Sequence, residues 1–165
     1  MVYRQASVND ISKVKGLALK SWELYKVQLT EENWEKLHTN LSDQYMYANL
    51  IAHSACFVCA TESDDIIGMA FLVPNGNPTD IYDKDWSYIR FLTVDPDFGG
   101  QGIGRKLTEL CIEEARNNNE TTIALHTSEM MDKARHIYEE LGFKIDKEIE
   151  PRLGKRYWLY KMELS

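Results

Sequence analysis

Val94-Asp95-Pro96-Asp97-Phe98-Gly99-Gly100-Gln101-Gly102-Ile103-Gly104-Arg105-Lys106-Leu107 carries the end of an apolar strand through a glycine-packed turn directly into a helix. Glycines at 99, 100, 102 and 104 let the backbone approach a ligand closely and adopt φ values closed to other residues. The first N–H groups of the following helix have no intrahelical acceptor and point outward as anion donors, so the stretch is suited to hold phosphate. Arg105 and Lys106 add positive charge beside it.

Spacing chooses among the glycine turns that precede helices. A P-loop needs a lysine and then a Ser or Thr after its second glycine, whereas Gly104 is followed by Arg105 and Lys106, so both the lysine and the magnesium-binding hydroxyl are lost. A dinucleotide fingerprint fails as well: counted from Gly100 its last glycine is Arg105, and counted from Gly102 it is Leu107. What remains, Gly100-Gln101-Gly102-Ile103-Gly104 after Leu92-Thr93-Val94, closely resembles the acetyl-CoA loop of the GCN5-related N-acetyltransferase (GNAT) superfamily.

A second stretch resembles the same family. Residues 123–143 contain Ala134, Tyr138, Gly142 and Phe143 in its Ala-x3-Tyr-x3-Gly-Phe pattern. Independently of any family, Ala134, Ile137, Tyr138 and Leu141 make one apolar helical face, Ser128 or Thr127 is expected to cap its start, and Gly142 closes it in the left-handed conformation. The resemblance implies that Tyr138 donates a hydrogen bond or proton to the departing CoA sulfur. It also implies that Leu92, Thr93 and Val94 offer backbone hydrogen bonds to the pantetheine arm and thioester carbonyl. Ala134 and Tyr138 join Gly99, Gly100, Gln101, Gly102, Ile103, Gly104, Arg105 and Lys106 as expected cofactor-binding positions, with acetyl-CoA as acyl donor. Two positions depart from the pattern: Gly99 stands where an arginine or glutamine is usual, and Met131 where an asparagine often contacts the cofactor arm, so Met131 is left out of the expected site.

The resemblance implies direct attack of an amine on acetyl-CoA, with no covalent enzyme intermediate. The proton acceptor is less firmly named. His126, Asp83, Asp85 and Glu129 all fall near the expected pocket mouth, and His126 alone has an unperturbed pKa suited to the task, so it joins Tyr138 as a catalytic candidate. A water relay is the other route. Trp22, Tyr25, Trp86, Tyr157 and Trp158 are candidates to line an acceptor pocket for a small-molecule or peptide amine. A silent acyl-CoA-binding sensor is the competing function, allowed by Gly99 and Met131 and opposed by Tyr138.

Composition bounds the rest. With 165 residues, 44% of them hydrophobic, the chain is expected to form one domain, residues 1–165. The formal charge of −7 argues against a nucleic-acid surface. No apolar run approaches the roughly 18 residues of a membrane helix, and no targeting signal is evident, so no membrane partner and a cytoplasmic location are expected. A homodimer is left open. Cys56-Phe57-Val58-Cys59 reads as a strand, in which residues three apart face opposite sides, and Cys111 sits among the apolar positions of a helix, so no metal site is expected.

The expected layout is a strand Val2 to Gln5, then a Ser7/Asp10 capping box opening a helix with Ile11, Val14, Leu17, Ala18 and Trp22 on one face. Thr30 caps a second helical stretch, and Gln44 to Ala52 adds another turn or two. Ala55 to Thr61 and Ile66 to Val73 form a hairpin, Trp86 to Val94 leads into the glycine turn and its helix, and Thr121 to Leu125 is a strand. A helix Lys133 to Leu141 and strands Phe143 to Ile149 and Tyr157 to Met162, around a turn at 151–154, complete the chain. The fold class is α+β. By resemblance it is a GNAT-like mixed, splayed, mostly antiparallel sheet of about seven strands flanked by helices on both faces, open between the strands ending at Val94 and near His126.

Overall fold

The computed structural model describes residues 1–164. Seven strands form one sheet in the order β1-β2-β3-β4-β5-β7-β6: β1 (Val2–Gln5), β2 (Ala55–Ala60), β3 (Ile66–Val73), β4 (Ser87–Val94), β5 (Thr122–Ser128), β6 (Lys144–Arg152) and β7 (Lys155–Glu163). Every neighbouring pair is antiparallel except β4 with β5. The helices are α1 (Ile11–Trp22), α2 (Glu31–Leu41), α3 (Gln44–His53), α4 (Ile103–Asn117) and α5 (Asp132–Leu141). No helix among the described residues is long and apolar enough to cross a membrane.

Two apolar layers sandwich the sheet. On one face Val14, Leu17 and Ala18 of α1, with Leu41, Tyr47 and Leu50, pack on Val58, Met69, Phe71, Tyr88, Ala124 and Leu159. On the other, Ile103, Leu107, Cys111, Ile112 and Ala115 of α4 and Tyr138 of α5 pack on Phe57, Ile67, Ile89, Ile123, Leu125 and Tyr160. Strand alternation sorts the side chains, so Cys56 lies in the first layer and Cys59 in the second. All three cysteines are free and buried. A Cβ on Gly68 of β3 would meet Ile103 Cγ2 at 2.7 Å, so this glycine sets how closely the start of α4 seats on the sheet.

The N-terminal capping box forms as expected: Ser7 accepts from Asn9 N–H, and Asp10 accepts from Ser7 N–H at 2.8 Å. Arg4 clamps the same Asp10 carboxylate with two bonds of 2.8 and 2.9 Å and holds it well below the usual carboxylate range, at about 2.

Two expectations are corrected and one element is added. Neither Thr127 nor Ser128 caps α5; both still belong to β5, and the helix starts after Met131 with no side-chain cap. The C-terminal hairpin is longer than expected. Pro151 lies within β6, an edge strand where a missing N–H is tolerated, and the turn contracts to Leu153-Gly154, both at positive φ (55° and 72°) as a tight hairpin turn requires. A 3-10 segment at Glu23–Gln28, which the sequence does not announce, joins α1 to α2.

Candidate active site

β4 and β5 pair only at Ser87 with Ile123 and Tyr88 with Ala124. Beyond Tyr88 they part, and the backbone groups that β4 turns toward β5 lack ladder partners. A bulge reinforces the divergence. The β3–β4 register slips between Met69 and Phe71, Phe91 takes a φ of 54°, and Thr93 Oγ1 donates to Phe91 C=O at 3.0 Å. A phenylalanine in this left-handed region is strained, the kind of local cost that clusters at functional sites. In the gap lies a cavity of about 640 Å³, lined by Ile89 to Thr93 of β4, Leu125 to Thr127 of β5 and Tyr138 of α5.

The glycine turn follows immediately after β4. Lys20 of α1 bridges Asp95 and Asp97 at 2.9 Å each and so fixes the segment that leads into it. Gly100 and Gly102 both have φ of 76°, and Gly102 is the residue from which α4 springs, with no side-chain cap. The first backbone bond of the helix runs from Lys106 N–H to Gly102 C=O at 3.0 Å. Among the described residues the N–H groups of Gly100 to Arg105 are left unbonded, a cluster of donors at the positive end of a 15-residue helix. Lys106 is exposed, and Arg105 forms an ion pair with Glu140 of α5. Gly99 has an extended backbone open to any residue, so the absence of a polar side chain there is not imposed by strain.

Tyr138 reaches the cavity from the face opposite α1. Its ring is held edge-on to Phe143 at 5.9 Å, and Gly142, at φ 109°, ends α5 beneath it. Among the described residues its hydroxyl has no hydrogen-bond partner, although it lines the cavity. Burial pushes its pKa above the ordinary tyrosine value, which keeps the phenol protonated and available as a donor.

His126 lies on the other side of the gap. Its Nδ1 is 2.7 Å from the Tyr82 hydroxyl, and Tyr82 stacks on Tyr88 with ring centroids 4.0 Å apart. The Tyr82 hydroxyl has no other partner among the described residues. With the hydroxyl donating to Nδ1, its proton is satisfied and the His126 proton sits on Nε2; with Nδ1–H donating, Nε2 is a free acceptor. Burial first, then the charges of Arg152 and Arg90, lower the imidazole pKa from 6.5 to about 4. The unperturbed pKa that recommends His126 from the sequence is thus not the one it has in the fold.

Of the other expected residues, Leu92 and Thr93 line the cavity, while Val94 and Ala134 pack in the layer behind it. Trp22 and Tyr157 line it; Tyr25, Trp86 and Trp158 do not. Asp83, Asp85 and Glu129 are also absent from its wall. Asp83 is occupied by Asp85 N–H at 2.9 Å, and Glu129 by Arg156 N–H at 2.7 Å. Met131, left out on sequence grounds, does line the cavity, and its sulfur accepts from Thr127 Oγ1 at 3.5 Å. Sequence reasoning missed Arg90, Tyr82, Arg152 and the α2 residues Lys36 and Asn40. Only Arg90 left a signal, as a lone charge inside the otherwise apolar run from Tyr88 to Leu92.

The profile of the Acetyltransferase (GNAT) family matches residues 21–143, most of the chain. The chain belongs to the GNAT acetyltransferase family. Its relatives include the human N-acetyltransferase 8B, 30% identical over 128 residues that cover 78% of this chain and 52% of that protein. The chain spans about half the length of the curated relatives it matches. The GNAT fold extends over nearly all of it. The crystal structure of the PaiA N-acetyltransferase from Thermoplasma acidophilum in complex with coenzyme A has a TM-score of 0.79 at 16% identity, covering 99% of this chain and 98% of that one. A ribosomal-protein-alanine N-acetyltransferase from Brucella melitensis has a TM-score of 0.76 at 18% identity, covering 99% and 100%.

Proposed function

We propose that this GNAT chain is an N-acetyltransferase that takes acetyl-CoA as donor and passes the acetyl group directly to a primary amine on a small molecule or peptide. The unpartnered Tyr138 hydroxyl beside the gap between β4 and β5 carries the proposal: a protonated donor faces the opening where the two strands part. The diphosphate is assigned to the unbonded N–H groups from Gly100 to Arg105, with Lys106 adding charge. The pantetheine arm is assigned to the free β4 backbone at Leu92, Thr93 and Val94, beside Ala134.

In the reaction the neutral amine attacks the thioester carbonyl, and a backbone N–H of β4 supports the developing oxyanion, a contribution of about 3 to 4 kcal/mol where such donors have been removed elsewhere. Collapse breaks the C–S bond, Tyr138 supplies a hydrogen bond or proton to the sulfur, and the proton lost by the amine passes to water. We assign the Tyr82 hydroxyl as donor to His126 Nδ1, so that the neutral imidazole presents Nε2–H to the acceptor. A cytoplasmic location fits the three unpaired, buried thiols.

Calorimetry with acetyl-CoA followed by a thiol-release assay over an amine panel tests the function. Tight binding and turnover are expected. Binding with no turnover on any amine would instead mark a silent acyl-CoA sensor, and no binding would remove the proposal altogether.

A further inference from the structure

The cavity differs in charge between its two sides. Toward α4 and α5 it ends at Tyr138. Toward α2 and α3 its wall holds Lys36, Arg90 and Arg152 against a single carboxylate, Asp43. This reverses the sign of the whole chain, which has 26 acidic and 19 basic residues. Two of these charges are occupied: Arg152 pairs with Asp80 at 3.3 Å, and Asp43 accepts from Tyr45 N–H at 3.0 Å as the cap of α3. Lys36 is exposed to water, which leaves Arg90 as the partly buried cation of the wall. It is half-buried, its guanidinium lies over the Phe91 ring at 4.8 Å, and no carboxylate pairs with it among the described residues.

A guanidinium taken part-way out of water without a counter-ion is costly, and a chain with so many acidic residues has had ample means to supply one. The strained bulge at Phe91 lies directly beside it. His126 lies across the gap on the same cavity wall, and with the Tyr82 hydroxyl donating to Nδ1 its Nε2–H joins Arg90 as a second donor facing the space an amine substrate must occupy. Planar, forked donors of this kind match a carboxylate.

We infer that the acceptor amine also bears a carboxylate, seated on Arg90 with the Nε2–H of His126 as second donor, so that the substrate class is a small amino carboxylate such as a free amino acid. The inference rests on the acetyl-transfer function proposed above, and it concerns only the acceptor side of the cavity.

The test compares matched acceptors with and without the carboxylate: phenylalanine against phenethylamine, leucine against isoamylamine, lysine against cadaverine, at saturating acetyl-CoA. The best carboxylated member is expected to exceed its partner in kcat/KM by about 30-fold or more, the cost of truncating one side of a desolvated charge pair. Arg90→Met is expected to collapse that ratio to within about threefold, and Arg90→Lys to retain part of it. Melting curves establish that each variant folds. A parallel measurement needs no catalysis: calorimetry of the corresponding N-acetyl amino acids and N-alkyl acetamides on CoA-saturated protein is expected to show the same preference and the same loss in Arg90→Met. Carboxylate-selective binding without turnover would sink the enzymatic function and keep the carboxylate site at Arg90. If no carboxylated member outperforms its partner in either measurement, or if the preference survives Arg90→Met, the inference is overturned.

Discussion

His126 is expected to make the native state sensitive to mild acid. In the fold its imidazole titrates at about 4 against an ordinary 6.5, chiefly through burial and then through the charges of Arg152 and Arg90, with Asp80 opposing them weakly. The unfolded chain therefore binds a proton that the native protein refuses between these two values. Stability is complete above pH 6.5 and falls as the pH drops toward 4. The difference corresponds to about 3 kcal/mol in full, of which about 2 kcal/mol is lost between roughly pH 7.5 and pH 5. His126→Asn keeps an acceptor for Tyr82 near the Nδ1 position and removes the titration. Urea denaturation followed by tryptophan fluorescence at several pH values in this window gives the two slopes, and carboxylate contributions common to both proteins cancel in their difference. The wild type is expected to lose about 2 kcal/mol more than the variant between about pH 7.5 and pH 5. Parallel slopes would show that the imidazole is not held neutral, and the assignment of its proton to Nε2 would fall with it.

Other substitutions probe the remaining parts. Tyr138→Phe removes a hydrogen bond to a charge that exists only as the thiolate departs, so turnover is expected to fall about 10- to 150-fold with acetyl-CoA affinity nearly unchanged; an unaltered rate would take Tyr138 off the catalytic list. Gly102→Asp places a side chain at φ 76° and a negative charge among the unbonded N–H groups, so folded protein is expected to show no calorimetric acetyl-CoA binding. Asp10→Asn breaks the clamp to Arg4. Because the folded carboxyl titrates at about 2 against an ordinary 3.8, the wild-type contribution of about 2 kcal/mol is full above pH 3.8 and disappears as pH falls toward 2, so the variant is expected to be less stable by that amount at neutral pH, read by urea denaturation.

What the sequence reveals here is local. The glycine turn and the Tyr138 helix are each written within about two turns of chain, as periodicity and positive-φ glycines, and both appear where expected, although the cap read at Thr127 or Ser128 does not form. The His126 environment is not local. Tyr82 lies 44 residues away, and the burial that lowers the imidazole pKa comes from packing that no single stretch records. The bulge at Phe91 has no glycine to announce it, because tertiary contacts hold a phenylalanine where its intrinsic preference would not. Pro151 signals a turn in isolation and becomes a strand residue because β6 lies at the sheet edge.

The parting of β4 from β5 after Tyr88 lets one cavity draw its wall from both apolar layers, Leu125 and Tyr138 from one and Leu41 and Tyr157 from the other. Under the proposed function, donor and acceptor held against different layers are aboard together, and initial-velocity plots are expected to give intersecting rather than parallel lines.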